Sequence, residues 1–284
     1  MSPDGSIVLS VIIVNWNTRE FLRKCLEFVE TAVKSIPSEI IVIDNASTDG
    51  SIEMLVDSFP NIHSIINKTN NGFAAANNLG LHRASGEYVM LLNPDAELKI
   101  DSASKMLEFA EAHPEAGVVG PKLLNTDGSL QKNGQKFPTL ARELLHVFRL
   151  NRLMQSKFDI RYEWGRADFD VQAEVDSVCG ACMLVKRAAI EAAGLLDERF
   201  FMYYEEVDWC KRIKAAGWKV YYLPESEVIH HIGQGSKQIG LKKMRIAYAS
   251  QYVYFKKHHG LAQALVLRII SGMILALMRL KKSS

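Results

Sequence analysis

The chain has 284 residues and a mass of 31.9 kDa, enough for one large domain or two small ones that bury about three quarters of their unfolded surface without a covalent staple. Its 48% hydrophobic, 23% charged and 9% aromatic residues exclude a disordered, collagen-like or polytopic membrane chain. A net charge of +2 excludes a global field for nucleic acid, so no nucleic-acid partner is expected. Four cysteines (Cys25, Cys179, Cys182, Cys210) are too few for a disulfide framework and suit a reducing compartment. Met1 to Ser6 is polar and lacks the pattern of a signal peptide, which makes the cytoplasm the expected location.

Ile7 to Val14 is an apolar, β-branched run. After the loop Asn15-Trp16-Asn17-Thr18, apolar residues recur at helical spacing, which predicts a strand and then a helix capped by Thr18. The unit repeats with a strand over Glu39 to Ile43 and a helix from Ser51, then a strand over Ile62 to Ile66 and a helix after Gly72. A fourth strand, Tyr88 to Leu92, precedes a helix over Asp101 to Ala112 and the apolar segment Gly117 to Val119. Such alternation implies an α/β fold with a mainly parallel, doubly wound sheet, helices on both faces and ligands at the carboxyl ends of the strands.

Past the turn Asn125 to Ser129 the alternation breaks, and Lys136 to Asp170 reads as an insertion or lid. Order resumes over Val175 to Val185. A helix over Arg187 to Ala193 is stopped by Gly194, and another over Glu205 to Ala216 precedes a strand over Trp218 to Leu223. The expected organisation is a domain over 1–258, with a nucleotide-binding part at 7–124 and a catalytic part at 171–258, and a C-terminal helix over 259–284. Gln263, Arg268 and Arg279 interrupt Leu261 to Leu280, leaving only Ile269 to Met278 uncharged and too short to span a bilayer. This helix is expected to pack on the domain, on a second copy in a homodimer, or in the plane of a membrane surface, where Arg268, Arg279, Lys281 and Lys282 would sit beside apolar residues.

Four loops carry the candidate chemistry. Asp44, at the end of the second strand, can accept hydrogen bonds from a ribose or base, while Ser47 and Asp49 equally suit a helix cap. Asn93-Pro94-Asp95 sets one carboxylate at a strand end, where Mg2+ or Mn2+ could be held together with water and substrate phosphates. Glu205, Glu206 and Asp208 crowd a helix start behind aromatic residues, an arrangement that tunes a general base. His230 and His231 precede a Gly-rich stretch suited to metal or diphosphate contact. The spacing Cys179-Gly180-Ala181-Cys182 has no second CxxC to complete a zinc site.

In this order, the motifs resemble the inverting glycosyltransferases of family 2, with the nucleotide-diphospho-sugar fold called GT-A, and most nearly their bacterial rhamnosyltransferase-like members. The resemblance covers about Val8 to Lys257 and implies a donor site of Val14, Asn15, Asn17, Asp44, Asn45, Ser47, Asn71, Phe73, Asn77, Asn93 and Asp95, with Asn78 beside it. The DxD metal motif of the family matches Asn93-Pro94-Asp95, in which only the second aspartate is kept, and its late histidine matches His230. Mg2+ or Mn2+ is therefore assigned to Asp95 and His230. Gly180, Tyr204 and Trp209 fall on the acceptor side, and the ED-type acceptor motif matches Glu205-Glu206-Val207-Asp208, leaving open whether Glu205 or Glu206 is the base. The implied donor is dTDP-L-rhamnose, with UDP-hexoses or UDP-galactofuranose as alternatives, and the implied acceptor is a glycan or a polyprenyl-diphosphate-linked glycan, in whose binding Arg142 to Arg166 could share. A nucleotidyltransferase or dinucleotide oxidoreductase would need a Gly-rich loop where Asn15-Trp16-Asn17-Thr18 stands, and a silent scaffold would have no use for the whole acidic set.

Overall fold

The computed structural model describes residues 6–131, 133–147, 169–234 and 241–283. The first part of the chain runs β1 (Leu9–Asn15), α1 (Arg19–Ala32), β2 (Ser38–Asp44), α2 (Ser51–Ser58), β3 (His63–Ile66), α3 (Phe73–Arg83), β4 (Tyr88–Leu92), β5 (Ala96–Leu98), α4 (Ser102–Ala112), β6 (Ala116–Leu124) and β7 (Leu130–Gln131). There follow α5 (Leu140–Val147), β8 (Ala173–Val175), β9 (Cys182–Lys186), α6 (Arg187–Ala193), α7 (Glu205–Ala215), β10 (Lys219–His230), α8 (Leu241–His258) and α9 (Leu261–Ser283). Of the expected insertion, 148–168 lies outside the described residues, as do Gly235 and Ser236.

Every residue of β1 is buried because the strand is central and covered on both faces. Leu9, Val11 and Ile13 enter one layer with Leu22, Leu26 and Val29 of α1 and Met106 of α4. Ile12 and Val14 enter the opposite layer with Ala74 and Leu81 of α3, Ile190 of α6 and Trp209 of α7. A period of two along the strand divides its side chains between the layers. A third cluster, Phe200, Val207, Tyr254, Phe255, Ala264 and Leu267, joins α7, α8 and α9, with Leu140 and Leu144 of α5 packed against it.

The strands form one sheet in the order β3-β2-β1-β4-β9-β6-β10-β5, with β7 on β6 and β8 on β10. The expected parallel arrangement holds for β3, β2, β1 and β4. The second half is mixed: β9 lies antiparallel between β4 and β6, and β5 and β8 lie antiparallel to β10, which itself runs parallel to β6. A buried apolar strand carries no mark of its direction; the connection imposes it, and β9 is entered directly from strand β8.

Two local expectations are corrected. Thr18 does not cap α1: its hydroxyl donates to Asn15 Oδ1 at 2.7 Å, and the Arg19 amide donates to Asp49 Oδ2 at 2.8 Å. The last strand does not stop at Leu223 but runs through Pro224 to His230, with a register shift between Leu223 and Glu227 where the proline is absorbed. Beyond the shift β10 pairs with β5, which sets His230 opposite Ala96 and so beside Asp95.

Candidate active site

A cavity of about 580 Å3 opens at the carboxyl ends of β1, β2 and β4, lined by Val14, Asn45 and Asn93 there and by Asp95, Glu205, Glu206 and His230 from the other side. β1 has β2 on one flank and β4 on the other, so the crossovers leave it in opposite directions and a crevice remains between them. Phe73, Cys179 and Gly180 complete the wall.

On the nucleoside side, several polar residues brace one another rather than face the cavity. The buried Asp44 accepts from Asn15 Nδ2 at 2.8 Å and from the Ser47 amide at 2.7 Å, and Ser47 Oγ accepts from the Asn17 amide at 2.9 Å. Asn17 Oδ1 in turn accepts from the Thr48 amide. Asn45, which does line the cavity, donates to the Gly72 carbonyl at 3.1 Å and accepts from Asn67 Nδ2 at 2.8 Å. Asn71 is exposed and bonded to Thr69, while Asn77 donates to the Phe73 carbonyl and Asn78 to the Leu196 carbonyl. Of this expected set Val14, Asn45, Phe73, Asn93 and Asp95 reach the cavity, and Asn15, Asn17, Asp44, Ser47, Asn71 and Asn77 are not among its lining residues.

Gly72 explains its own identity. Its φ is +86°, and a Cβ there would lie 2.4 Å from the Phe201 carbonyl oxygen. The Phe73 amide donates to that same oxygen at 2.6 Å, so the donor-side loop and the segment before α7 share a wall that only glycine permits.

Asp95 and His230 meet because β5 pairs with β10. Gln131 donates its side-chain amide to the carbonyls of Leu124 and His230, which turns its Oε1 toward His230 Nδ1 at 3.0 Å. The Nδ1 proton is thereby used, and Nε2 faces Asp95 Oδ1 at 3.3 Å, where a second proton makes the ring a charged donor to that carboxylate. Burial alone would raise the Asp95 pKa, yet the hydrogen bond and charge of His230 and the amide of Gln234, 3.0 Å from Oδ2, hold it below the usual aspartate value. Two electron-pair donors pointed at one place suit a shared cation, either a proton or a divalent metal ion. Among the described residues no third His, Cys, Asp or Glu joins them. His231 turns away and pairs with Glu97 at 2.7 Å.

Glu205 and Glu206 open α7. Neither Oε2 has a hydrogen-bond partner, although both atoms are buried. Burial, with the Glu206 charge added, drives the Glu205 carboxyl well above the ordinary range. Burial also raises Glu206, with amides at the start of the helix partly offsetting it, so the pair holds a proton above the ordinary carboxylate range. The two residues before them, Tyr203 and Tyr204, have φ of 74° and 68°, a left-handed backbone that bulky residues avoid.

Asp208 and Trp209, expected at the reaction centre, are absent from the cavity lining. Asp208 is fully buried and bonded to Arg212 Nε at 2.9 Å, Lys257 Nζ at 2.7 Å and His258 Nε2 at 2.7 Å. The Trp209 indole donates to the Gly194 carbonyl at 2.7 Å inside the core. Tyr204 also lies off the cavity, with its phenol on Glu143 Oε1 at 3.2 Å, whereas Gly180 lines it, with no side chain between the wall and Glu206. Burial pushes the Cys179 thiol up to about 12 and that of Cys182 higher still, so neither is a thiolate.

The sequence reading missed Trp16, Asn70, Met202 and Tyr203, and above all Lys242 and Lys243 at the start of α8, all of which line the cavity. Trp16, an aromatic residue in a polar strand-end loop, carried a usable signal. The two lysines carried none, because only the packing of α8 against α7 brings them to the site.

Solved structures share this fold. The chain aligns with S. aureus TarS 1-349 at a TM-score of 0.54 and 16% identity over 86% of its length, and with GalNAc-T7 bound to UDP, GalNAc and Mn2+ at 0.59 and 16% over 91%. It spans 65% and 52% of those longer chains, and both likenesses show the GT-A fold. It is 28% identical to the N-acetylglucosaminyl-diphospho-decaprenol L-rhamnosyltransferase of Mycobacterium tuberculosis, over 89% of this chain and 85% of that protein. It is 23% identical to the rhamnosyltransferase WbbL of Escherichia coli K12, over 87% and 92% respectively. The model of the family described as Glycosyl transferase family 2 matches residues 10–193. With the family model covering well over half of its length, the chain belongs to glycosyltransferase family 2 and is a glycosyltransferase.

Proposed function

We propose that the protein transfers L-rhamnose from dTDP-L-rhamnose, with inversion, to a polyprenyl-diphosphate-linked glycan at the cytoplasmic face of a membrane, as part of cell-surface polysaccharide assembly. The rhamnosyltransferase names of the relatives above support the sugar and, for the mycobacterial one, a lipid-diphosphate acceptor; a UDP-hexose or UDP-galactofuranose donor is the second reading. One observation carries the chemistry: two carboxylates with unpartnered oxygens reach the same cavity as the Asp95–His230 pair.

Glu206, the less buried of the two, removes the proton of the acceptor hydroxyl at its free Oε2, and Glu205 keeps its own proton, since two adjacent carboxylates in this site do not both ionise. The acceptor oxygen attacks the anomeric carbon from the face opposite the leaving nucleotide, so a single displacement inverts the centre. Lys242 and Lys243, across the cavity, supply positive charge for a diphosphate. Asp95 and His230 would hold a divalent cation, which when bound neutralises charge on the departing diphosphate. With these two donors among the described residues, the rest of its shell would come from water and phosphate oxygens.

Thermal unfolding against dTDP, UDP and GDP, with and without Mn2+, tests the donor class without an acceptor. A nucleotide at 100 times its Kd should stabilise the protein by about 2.7 kcal/mol, with the Mn2+-dependent part lost in Asp95→Ala. No shift with any of the three would sink the reading.

The lipid-linked acceptor gives α9 a role. Leu261, Leu265, Ile269, Met273 and Leu277, spaced four apart, are 43% to 63% exposed, whereas Ala264, Leu267 and Ser271 are buried on the opposite side. By length and composition Leu261–Met278 could cross a membrane, with a mean hydropathy of 2.0, contrary to the expectation that the apolar stretch is too short. One face is nevertheless occupied by the domain, and Arg268 stacks on the Tyr252 ring of α8 at 4.8 Å, which favours a helix lying in the plane of the surface. Residues 241–284 hold nine Lys and Arg and no Asp or Glu, a charge suited to anionic lipid. Sedimentation with phosphatidylglycerol vesicles should be lost on deleting 261–284 and weakened in Leu265→Glu/Ile269→Glu. Unchanged partitioning of both would remove membrane contact from the proposal.

A further inference from the structure

The left-handed pair Tyr203 and Tyr204 needs holding, because each such residue costs about 1–3 kcal/mol and persists only when its surroundings over-determine it. The holders are identifiable. On the donor side the Phe73 amide binds the Phe201 carbonyl, and from α8 the Ser250 hydroxyl donates to the Met202 carbonyl at 2.8 Å. The Tyr204 ring packs against Tyr254, with centroids 5.4 Å apart, and its phenol donates to Glu143 Oε1 of α5 at 3.2 Å. Glu143 Oε2 accepts from Gln251 Nε2 at 2.8 Å, and the same nitrogen lies 3.4 Å from the Tyr204 oxygen. Gln251 is itself buried, and Ser271 of α9 reaches its Oε1 at 3.5 Å.

We infer that Glu143 and Gln251 are positioning residues for the transfer reaction: by fixing the Tyr204 side chain they hold its backbone left-handed, and that backbone aims Glu205 and Glu206 into the cavity. The inference rests on reading the glutamate pair as the base. Tyr204 is the hinge residue of this arrangement, since it directly precedes α7. Relaxing its dihedrals by tens of degrees would swing the first-turn carboxylates by about 1 Å or more, and a misplacement of that size can cost about 10²-fold in rate. Burial and the neighbouring Glu143 charge keep the Tyr204 phenol protonated, so it remains the donor throughout the neutral range. Glu143, Gln251 and Tyr204 are not among the lining residues of the cavity, so their effect on the reaction passes through the Tyr204 backbone.

The test compares Glu143→Leu, Glu143→Gln, Tyr204→Phe and Gln251→Leu by infrared titration of the protonated carboxyl band of the glutamate pair, assigned by its change in Glu205→Gln and Glu206→Gln. The other titratable groups facing the pair, Cys179, Asp95, His230, Lys242 and Lys243, are the same in all four variants. In the unmodified protein the band should persist above the ordinary carboxylate range. In Glu143→Leu, Gln251→Leu and Tyr204→Phe it should shift toward that range as the pair reaches water, with kcat for rhamnosyl transfer down about 10-fold or more and nucleotide affinity within about twofold. Glu143→Gln keeps an oxygen for the phenol and should restore the titration. Should Glu143→Leu fail to fold, Tyr204→Phe removes a single oxygen and decides the matter. An unmoved band in Tyr204→Phe and Gln251→Leu, or a Glu143→Gln variant as impaired as Glu143→Leu, would overturn the inference while leaving the base assignment intact. An ordinary titration in the unmodified protein would overturn the base assignment and this inference with it.

Discussion

Replacing Glu206 by Gln should lower the transfer rate about 10²-fold or more while the protein stays folded, because the group that accepts the acceptor proton is removed and its shape is kept. The pH dependence gives the assignment a sign. Both carboxyls are raised by burial, so kcat/KM should climb as the pair loses its first proton, above the usual glutamate value, and that limb should vanish in Glu206→Gln. Stability runs the other way. Between the unfolded and the raised folded values the native state holds more protons than the unfolded chain, so stability is fullest at low pH and falls as pH rises through that window. Glu205→Gln should flatten this fall and raise stability at neutral pH, because an amide at that position takes up no proton on folding. A Glu206→Gln enzyme with near-normal turnover would reject the assignment, and if Glu205→Gln were the inactive variant the two roles would be exchanged.

Asp208→Ala should be the most destabilising of the acidic-cluster variants, at about 3 kcal/mol, because it strips the counter-charge from Arg212 and His258 and leaves Lys257 with Asp197 alone. The three cations are only partly buried, so the lower end of the usual range for breaking a buried pair applies. In a domain of this size that amounts to a Tm lower by several degrees. Burial would raise the Asp208 pKa, but the hydrogen bonds from His258, Lys257 and Arg212 outweigh it and hold the group below the usual aspartate value. Its contribution is therefore complete above about pH 4, the unfolded value, and is lost as pH falls through the folded one. Below its lowered Tm the variant should keep its kcat. A loss of about 10²-fold in kcat without a change in Tm would restore Asp208 to the catalytic set.

The contrast between Asp208 and Glu206 shows what a sequence can and cannot say about a site. Both belong to one acidic run and look equivalent along the chain, yet a helix sends residues two apart to different sides. One carboxylate meets the cavity and the other the cations of α7 and α8. The same limit appears at Asp44, which forms the rigid floor under Asn45 instead of lining the cavity. Lys242 and Lys243 were invisible for a related reason: nothing local marks a lysine as facing a site some 40 residues upstream.

Apart from the short β5, strand and helix positions up to Leu124 could be read from the chain because apolar periodicity is a local property, written by whether one face or two are buried. The Glu205–Glu206 start, Asp95 and His230 could be read too, since each stands at the end of an element where backbone geometry leaves room for a ligand. The tertiary structure alone decided the direction of β9, the extension of β10 past Pro224 and the left-handed tyrosines. The meeting of Asp95 with His230, 135 residues apart, belongs with these. All depend on pairing between distant segments, whose energy comes from burial and register across the sheet and leaves no trace in any short window of sequence.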